Sequence, residues 1–156
     1  MKKILHIILI TIISLTVISC SSSDDSETTT TSSVSFVAVG TSGTLLTSSD
    51  GTTWTSRTSG TSNHLQRVIY ANSTFVTVGN SGTILTSSDG ISWTSRTSGT
   101  TNTLYGITYG NSTFVTVGNS GTILTSSDGT TWTSRTSGTA NDLWGDNYIN
   151  SIFVAV

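Results

Sequence analysis

The sequence predicts an all-β chain, specifically a partial β-propeller of about three four-stranded antiparallel blades. The first observation is a 39-residue unit that occurs three times, with starts at Gly40, Gly79 and Gly118. The second is that each unit holds four short runs rich in Thr, Val, Ile, Phe and Trp, separated by Gly, Asn and Asp. That pattern indicates antiparallel strands joined by hairpins, and four-stranded units of about 40 residues are typical of propeller blades.

The middle unit shows where each element is expected. The predicted strands are Leu104–Tyr109, Thr113–Val117, Thr122–Ser126 and Thr131–Arg135. Tight turns at residues 118–121 and 127–129 separate the last three strands, because Gly, Asn and Asp accept the backbone conformations that hairpin turns need. No window of the sequence shows sustained helical periodicity.

Neighbouring blades are expected to stack, because a single blade cannot bury both faces of its sheet. Apolar residues that recur at one position of each unit should form the core between blades. They are Phe75, Phe114, Phe153, Ile84, Ile123, Leu85, Leu124, Trp54, Trp93 and Trp132. The tryptophans could instead be exposed ligand platforms, but recurrence in every unit favours packing.

A Ser-Ser-Asp-Gly turn followed by Trp recurs in each unit and is predicted to be structural. The Asp carboxylate can accept hydrogen bonds from amides of its own turn, and Gly supplies a positive φ. The Trp three residues later can anchor the next strand. The residues are Asp50, Gly51, Trp54, Asp89, Gly90, Trp93, Asp128, Gly129 and Trp132.

This turn resembles the Asp-box, or bacterial neuraminidase repeat, Ser-x-Asp-x-Gly-x-Thr-Trp. The segment Ser48–Trp54 is one residue shorter between Asp and Trp. Over roughly residues 35–156 the chain is also similar to photosystem II assembly-factor-like and sialidase-like propellers of bacteria. The resemblance implies a propeller whose Asp-boxes lie at a strand turn away from any active site, and it implies no particular activity.

The N-terminal region predicts export and lipid anchoring. Residues 1–19 have a basic start and an apolar run, Ile4–Ile18, that is shorter than the roughly 20 residues of a membrane span. The run ends at Val17–Cys20, which resembles the bacterial lipobox and implies lipidation of Cys20. The alternative is a buried free cysteine after an uncleaved anchor. Residues 20–34 are polar and predict a flexible tether, so we expect a lipid-anchored protein of the outer membrane or cell surface of a Gram-negative bacterium.

Charge and motif content argue against several function classes. Beyond residue 19 the sequence has four arginines against eight acidic residues, so it lacks the basic patch of a nucleic-acid binder. We see no nucleophile–base pair, no metal-ligand spacing and no phosphate-binding loop, and therefore expect no enzyme, cofactor or metal. Arg57, Arg96 and Arg135 could form an arginine triad of the sialidase kind, but their place on the outermost strands argues against convergence.

A ligand site is expected where the repeated units differ. The differences cluster in the first strand, which is the innermost strand of a propeller blade and lines its channel. His64, Gln66 and Arg67 align with Thr103, Tyr105 and Gly106, and with Asp142, Trp144 and Gly145. The candidate residues are His64, Arg67, Tyr105, Asp142 and Trp144, because they combine aromatic surface with charge. The ligand would be a protein or a glycan, and the alternative is neutral drift at exposed positions.

Three functional hypotheses and two assemblies follow. The leading hypothesis is a lipoprotein whose propeller, residues 35–156, is a binding or scaffold module. The alternatives are a fragment of a sialidase-like carbohydrate-active enzyme and a β-solenoid adhesin, the latter disfavoured by hairpin turns. We expect an incomplete ring, either part of a larger propeller or completed by self-association of two copies. Asp146, in place of Val68 and Ile107, puts a charge at a predicted core position and favours the larger propeller.

Overall fold

The structure is a computed structural model that describes residues 34–156. The predicted signal peptide, Cys20 and the tether up to residue 33 lie outside the described residues. Residues 34–156 contain no helix that is both long and apolar enough to cross a membrane.

Thirteen β-strands and three single-turn 3-10 segments make up this part of the chain. The strands are β1 Phe36–Val39, β2 Leu45–Ser48, β3 Thr55–Ser56, β4 Leu65–Ala71, β5 Thr74–Gly79, β6 Ile84–Ser87, β7 Thr94–Arg96, β8 Leu104–Gly110, β9 Thr113–Gly118, β10 Ile123–Ser126, β11 Thr133–Arg135, β12 Asp146–Ile149 and β13 Ile152–Ala155. The 3-10 turns are Thr41–Gly43, Asn80–Gly82 and Asn119–Gly121.

The strands form four antiparallel sheets in chain order. The first sheet has strands β1 to β3, the second β4 to β7, the third β8 to β11 and the fourth β12 and β13. Every sheet is a simple meander in which consecutive strands pair. The second and third sheets are the complete four-stranded blades that the repeat predicts, and the all-β propeller class is confirmed.

Two predicted strands begin later than the sequence pattern indicates, and both differences come from turn hydrogen bonds. Strand β10 begins at Ile123, because the amide of Thr122 donates to Asn119 O within the 3-10 turn. Strand β11 begins at Thr133, because the amides of Thr130 and Thr131 donate to the Asp128 carboxylate. The turns therefore extend further into the fourth strand than its β-rich composition suggests.

The core lies between successive sheets, as the stacking of blades requires. Between the second and third sheets the buried cluster contains Val76, Val78, Ile84, Leu104, Ile107, Phe114 and Leu124. Between the first and second sheets it contains Leu45, Leu65 and Leu85. Because side chains alternate across each strand, Ile84 serves one of these cores and Leu85 the other.

The tryptophans only partly fit the predicted core. Trp93 and Trp132 are half-buried against the two clusters, whereas Trp54 is 41% exposed. Each ring is held at the rim because its Nε1 donates to the carbonyl of the turn glycine three residues earlier. Phe153 and Ile123 are also half-buried. The core thus depends mainly on Leu, Ile, Val and Phe114.

Candidate functional site

The Asp-box turn is built by one carboxylate and one hydroxyl. Asp89 Oδ1 accepts hydrogen bonds from the amides of Ile91 and Ser92, both at 2.8 Å, and from the hydroxyl of Ser87 at 2.8 Å. Bonds from the amides of Ser92 and Ile91 hold the pKa of Asp89 below its usual value, since they stabilise the charged form. All three groups that donate to Asp89 Oδ1 belong to the turn itself.

The other two Asp-boxes repeat this arrangement. Asp50 and Asp128 each accept from the amides two and three residues further on, at 2.8 to 2.9 Å. The Trp93 indole closes the turn by donating to Gly90 O at 2.9 Å. In all three copies Oδ1 accepts three hydrogen bonds from donors of its own turn, so each carboxylate stabilises the turn.

The first strands of successive sheets are neighbours, with β4 against β8 and β8 against β12. Strands β4 and β8 each carry a β-bulge near the start. The pairing register skips Gln66 in β4 and Tyr105 in β8. Just before β12, the amides of Trp144 and Gly145 both donate to Val156 O. A bulge re-aims the side chain of its extra residue, so one side chain per blade is displayed differently from the rest of the sheet.

We call Gln66, Tyr105 and Trp144 the bulge row. They are spaced by 39 residues, so they occupy the same position in three successive units, yet each is a different residue type. Tyr105 and Trp144 stack, with ring centroids 4.4 Å apart and planes tilted by 20°. Trp144 is 64% exposed, so its indole offers solvent a fixed aromatic face.

Hydrogen bonds between the third and fourth sheets hold Asp142 at the same end of the inner strands. Leu143 N donates to Gly118 O at 3.0 Å, and Ser120 N donates to Asp142 Oδ1 at 2.8 Å. Ser120 belongs to the 3-10 turn that follows β9. Asp142 is exposed, and its carboxylate is held through one oxygen, Oδ1. It precedes Trp144 by two residues.

Gln66 has a different local role from its two equivalents. Its Nε2 donates to Asn80 Oδ1 at 2.9 Å. The equivalent oxygen in the next unit, Asn119 Oδ1, is buried and has no hydrogen-bond partner among the described residues. Tyr105, the counterpart of Gln66, has no side-chain amide to offer. The aromatic pair therefore replaces an internal hydrogen bond.

A second departure from the repeat lies beside the row. Asp146 stands where Val68 and Ile107 stand in the other units, and its two carboxylate oxygens are buried with no partner among residues 34–156. Burial raises the pKa of Asp146 to about 6, and the positive charge of Arg67 opposes that increase. The sequence prediction of a charge in a core position therefore agrees with the geometry.

The five sequence candidates divide into separate groups. Tyr105 and Trp144 stack on each other, and Asp142 is bonded to Ser120 N. The charge of Arg67 acts on Asp146. His64 is half-buried, and its carbonyl accepts from Asn80 N at 2.9 Å. Residue type alone does not mark Gln66 as a candidate, because an amide suggests neither stacking nor charge. Its place in the 39-residue alignment was the available signal.

The three repeat-equivalent arginines stay on separate sheets. Arg96 and Arg135 end the outer strands β7 and β11, and Arg57 follows β3. Their Nε atoms donate to Thr47, Thr86 and Thr125, at 2.9, 2.8 and 2.8 Å. Each arginine is thereby used to join the third and fourth strands of its own blade.

Two surface grooves between the blades also repeat. One of about 790 Å³ is lined by residues that include Ser81, Leu85 and Arg96, and one of about 550 Å³ by their counterparts Ser120, Leu124 and Arg135. Both grooves follow from the shared blade geometry. Within residues 34–156, no three His, Cys, Asp or Glu side chains are grouped so as to hold a metal ion.

Comparison with known proteins supports the architecture. No protein-family model matches the chain, and no curated protein matches it significantly. Among solved structures the chain is similar to YCF48 bound to D1 peptide, at 25% identity over 77% of this chain and with a TM-score of 0.62. The chain spans 42% of the length of that protein. The likeness supports the propeller fold seen in the sheets.

Proposed function

We propose that this chain is a protein-binding propeller that holds a peptide segment of a partner at the bulge row. The observation that carries the proposal is the stack of the half-buried Tyr105 ring on the exposed Trp144 ring. It occurs at the position where nearly identical units differ and where a bulge re-aims the side chain. Exposed, rigid aromatic side chains are frequent anchors of protein interfaces. The structural likeness to YCF48 with its bound peptide favours a peptide over a small metabolite.

The proposed place of action is the outer membrane or cell surface. The lipobox-like Val17–Cys20 segment and the polar tether that follows support a lipid anchor on Cys20, with the propeller at the end of the tether. Metabolic labelling with an alkyne fatty acid, compared between the natural chain and Cys20→Ser, tests the anchor. Equal labelling of both chains would refute it.

A binding role is favoured over the sialidase-like alternative. A sialidase would need three arginines that converge on one substrate carboxylate, whereas Arg57, Arg96 and Arg135 are bonded to threonines of three separate blades. The Asp-box carboxylates each use Oδ1 to bind the amides of their own turn. These contacts support a scaffold without hydrolytic chemistry.

Selection of peptides from a displayed random library tests the proposed function. The bait is the full chain in detergent micelles, and the affinity of each selected peptide is then measured for Trp144→Leu. We expect at least a tenfold loss, on the order of a hot-spot residue. Trp54→Leu is the matched control, because it removes an exposed indole from the rim. Selected peptides whose affinity is the same for both variants would contradict the proposal.

A further inference from the structure

We infer that the first serine of each Ser-Ser-Asp-Gly turn protects the Asp-Gly bond of that turn from conversion to isoaspartate. We call this residue the Asp-box serine; it is Ser48, Ser87 or Ser126. The inference goes beyond the proposed binding function and does not depend on it. It follows from the Asp-Gly sequence of every Asp-box and from the hydrogen bonds that the serine hydroxyl makes.

Asp-Gly is a chemically vulnerable sequence, and the chain contains it three times, at Asp50, Asp89 and Asp128. Glycine has no side chain to hinder the approach of its backbone nitrogen to the aspartate carboxyl. In the reaction the glycine nitrogen bonds to Cγ, and the N–H proton and the carboxyl hydroxyl leave as water. Solvent water then opens the resulting succinimide at its α-carbonyl, so that the main chain runs through Cγ as isoaspartate.

This conversion would disrupt the turn in which it occurs. The side-chain CH2 of the aspartate would enter the main chain and lengthen a tight hairpin. The Asp89 carboxylate would no longer be placed to accept from the amides of Ile91 and Ser92. Gly90, whose carbonyl accepts from the Trp93 indole, would be displaced as well. The hairpin therefore depends on an intact Asp-Gly bond.

The Asp-box serine binds both groups that would have to react. Ser87 Oγ accepts a hydrogen bond from Gly90 N at 2.8 Å and donates one to Asp89 Oδ1 at 2.8 Å. Ser87 and Gly90 are both buried. The nitrogen must therefore give up its bond to the hydroxyl before it can attack Cγ, and such an opening of the turn costs free energy.

The carboxyl group is also held in its unreactive form. Ring closure needs the neutral acid, because a carboxylate has no hydroxyl to lose. Hydrogen bonds from the amides of Ser92 and Ile91 and from the Ser87 hydroxyl hold the pKa of Asp89 below its usual value, since they stabilise the charge. The same three bonds end on Oδ1 and restrict rotation of the carboxylate.

The arrangement is the same in the other two units. Gly51 N donates to Ser48 Oγ at 2.8 Å, and Ser48 Oγ donates to Asp50 Oδ1 at 2.9 Å. In the third unit the glycine amide donates to Ser126 Oγ at 2.8 Å, and this hydroxyl donates to the Asp128 carboxylate at 2.9 Å. Each Asp-Gly bond thus has its own serine.

The rate of isoaspartate formation tests the inference. The natural full chain is incubated in detergent micelles at mildly acidic pH, and the same chain unfolded in guanidinium chloride gives the unprotected rate. Tryptic cleavage places the three sites in separate peptides, which end at Arg57, Arg96 and Arg135, and mass spectrometry with chromatographic separation quantifies isoaspartate in each. We expect every site to react at least about tenfold more slowly in the folded chain.

Ser87→Ala removes the hydroxyl from one turn and leaves the other two as internal references. We expect isoaspartate at Asp89 to form about tenfold faster than in the natural chain, the factor for losing one hydrogen bond to a charged group. Asp50 and Asp128 should keep their natural rates. Ser88→Ala is the matched control, because it removes the adjacent, exposed hydroxyl, and it should leave all three rates unchanged.

Ser126→Ala repeats the test in the third unit, where Asp128 should be the site that reacts faster. Equal rates at Asp89 in Ser87→Ala and Ser88→Ala would overturn the inference. An acceleration shared by all three sites would also overturn it, because the protection would then come from the stability of the whole fold. Equal rates in the folded and unfolded natural chain would show that the turns give no protection.

Discussion

At the scale of single residues, the near-identical units allow equivalent residues to be compared within one chain. Gln66 and Tyr105 occupy equivalent bulges above equivalent asparagines, and the difference in one side chain decides whether the asparagine oxygen is bonded. Asn80 Oδ1 has its partner, and Asn119 Oδ1 has none among the described residues. A buried acceptor without a partner is destabilising, so the Tyr105–Trp144 stack exists despite a local cost.

The Gln66–Asn80 bond can be tested by Gln66→Leu. The substitution keeps the volume similar and removes the donor, so we expect a loss of about 1 kcal/mol in the free energy of unfolding. Urea denaturation followed by tryptophan fluorescence measures it. An unchanged midpoint would mean that water replaces the Gln66 amide.

At the scale of the element, the Asp-box determines where each hairpin turns. Asp89→Ala removes the acceptor for the amides of Ile91 and Ser92. We expect amide hydrogen exchange to accelerate at these two residues, while the core strands β8 and β9 keep their protection. A global acceleration, extending to β9, would show that the turn supports the whole fold instead.

The same turn has a defined pH dependence. Because the folded-state pKa of Asp89 lies below its usual value of 3.8, the charged form stabilises the fold above that value. This contribution is lost as the pH falls through the lowered pKa. Protection of the Ile91 and Ser92 amides should therefore persist at pH 4.

Each 3-10 turn contacts the loop that follows the last strand of the same blade, and a glycine in the turn makes this close contact possible. Gly82 has φ +66°, and a Cβ there would lie 2.0 Å from Thr100 O. Gly99 also has a positive φ, +76°, but its Cβ would meet nothing within 4 Å. A side chain at Gly82 would therefore meet both a backbone conformation that favours glycine and a steric collision, whereas a side chain at Gly99 would meet only the former.

Substituting alanine at these two glycines should have unequal effects. Gly99→Ala should lower the free energy of unfolding by about 1 kcal/mol, the cost of a left-handed non-glycine residue. Gly82→Ala adds a collision with a backbone carbonyl and should cost clearly more. Thermal unfolding of both variants measures the difference, and equal melting temperatures would contradict the role of the close approach.

At the scale of the whole molecule, the repeat predicted the architecture, because a fixed period with four strands per unit restricts the fold strongly. It also selected Tyr105, Asp142 and Trp144 as candidate ligand residues, but it did not predict how their side chains are arranged. The 39-residue spacing placed Tyr105 and Trp144 at equivalent positions, but their stacking depends on the bulges and on the distance between neighbouring inner strands. The rim position of Trp54 was likewise missed, because recurrence shows that a residue matters for the blade but not how deeply it is buried.

The junction between the third and fourth sheets is where the molecule should respond to pH. Burial raises the pKa of Asp146 to about 6, from a usual value of 3.8, so the folded chain holds this proton more tightly than the unfolded chain does. The neutral carboxyl is the better-tolerated form in the interface. Stability from this group is complete below pH 3.8 and is lost as the pH rises through about 6.

Asp146→Val restores the residue type of the other blades and tests this dependence. At pH 7.5 we expect the variant to be more stable than the natural chain, by about 1–3 kcal/mol, because a buried polar group without a partner is removed. The advantage should shrink at pH 4.5. Urea unfolding at both pH values measures it, and a pH-independent difference would show that the gain comes from packing alone.

The β-bulge also bears on how such a chain acquires new partners. The backbones of β4 and β8 have the same bulge, and the amides of Trp144 and Gly145 share one acceptor at the equivalent point before β12, so residues 66, 105 and 144 occupy equivalent backbone positions. The residues that fold the blade are therefore different from the residue proposed to bind a ligand. A unit can be duplicated with its fold intact while this one residue is substituted. Duplicating or deleting a 39-residue unit would bring a different pair of side chains side by side, and blade order would act as a combinatorial code for specificity.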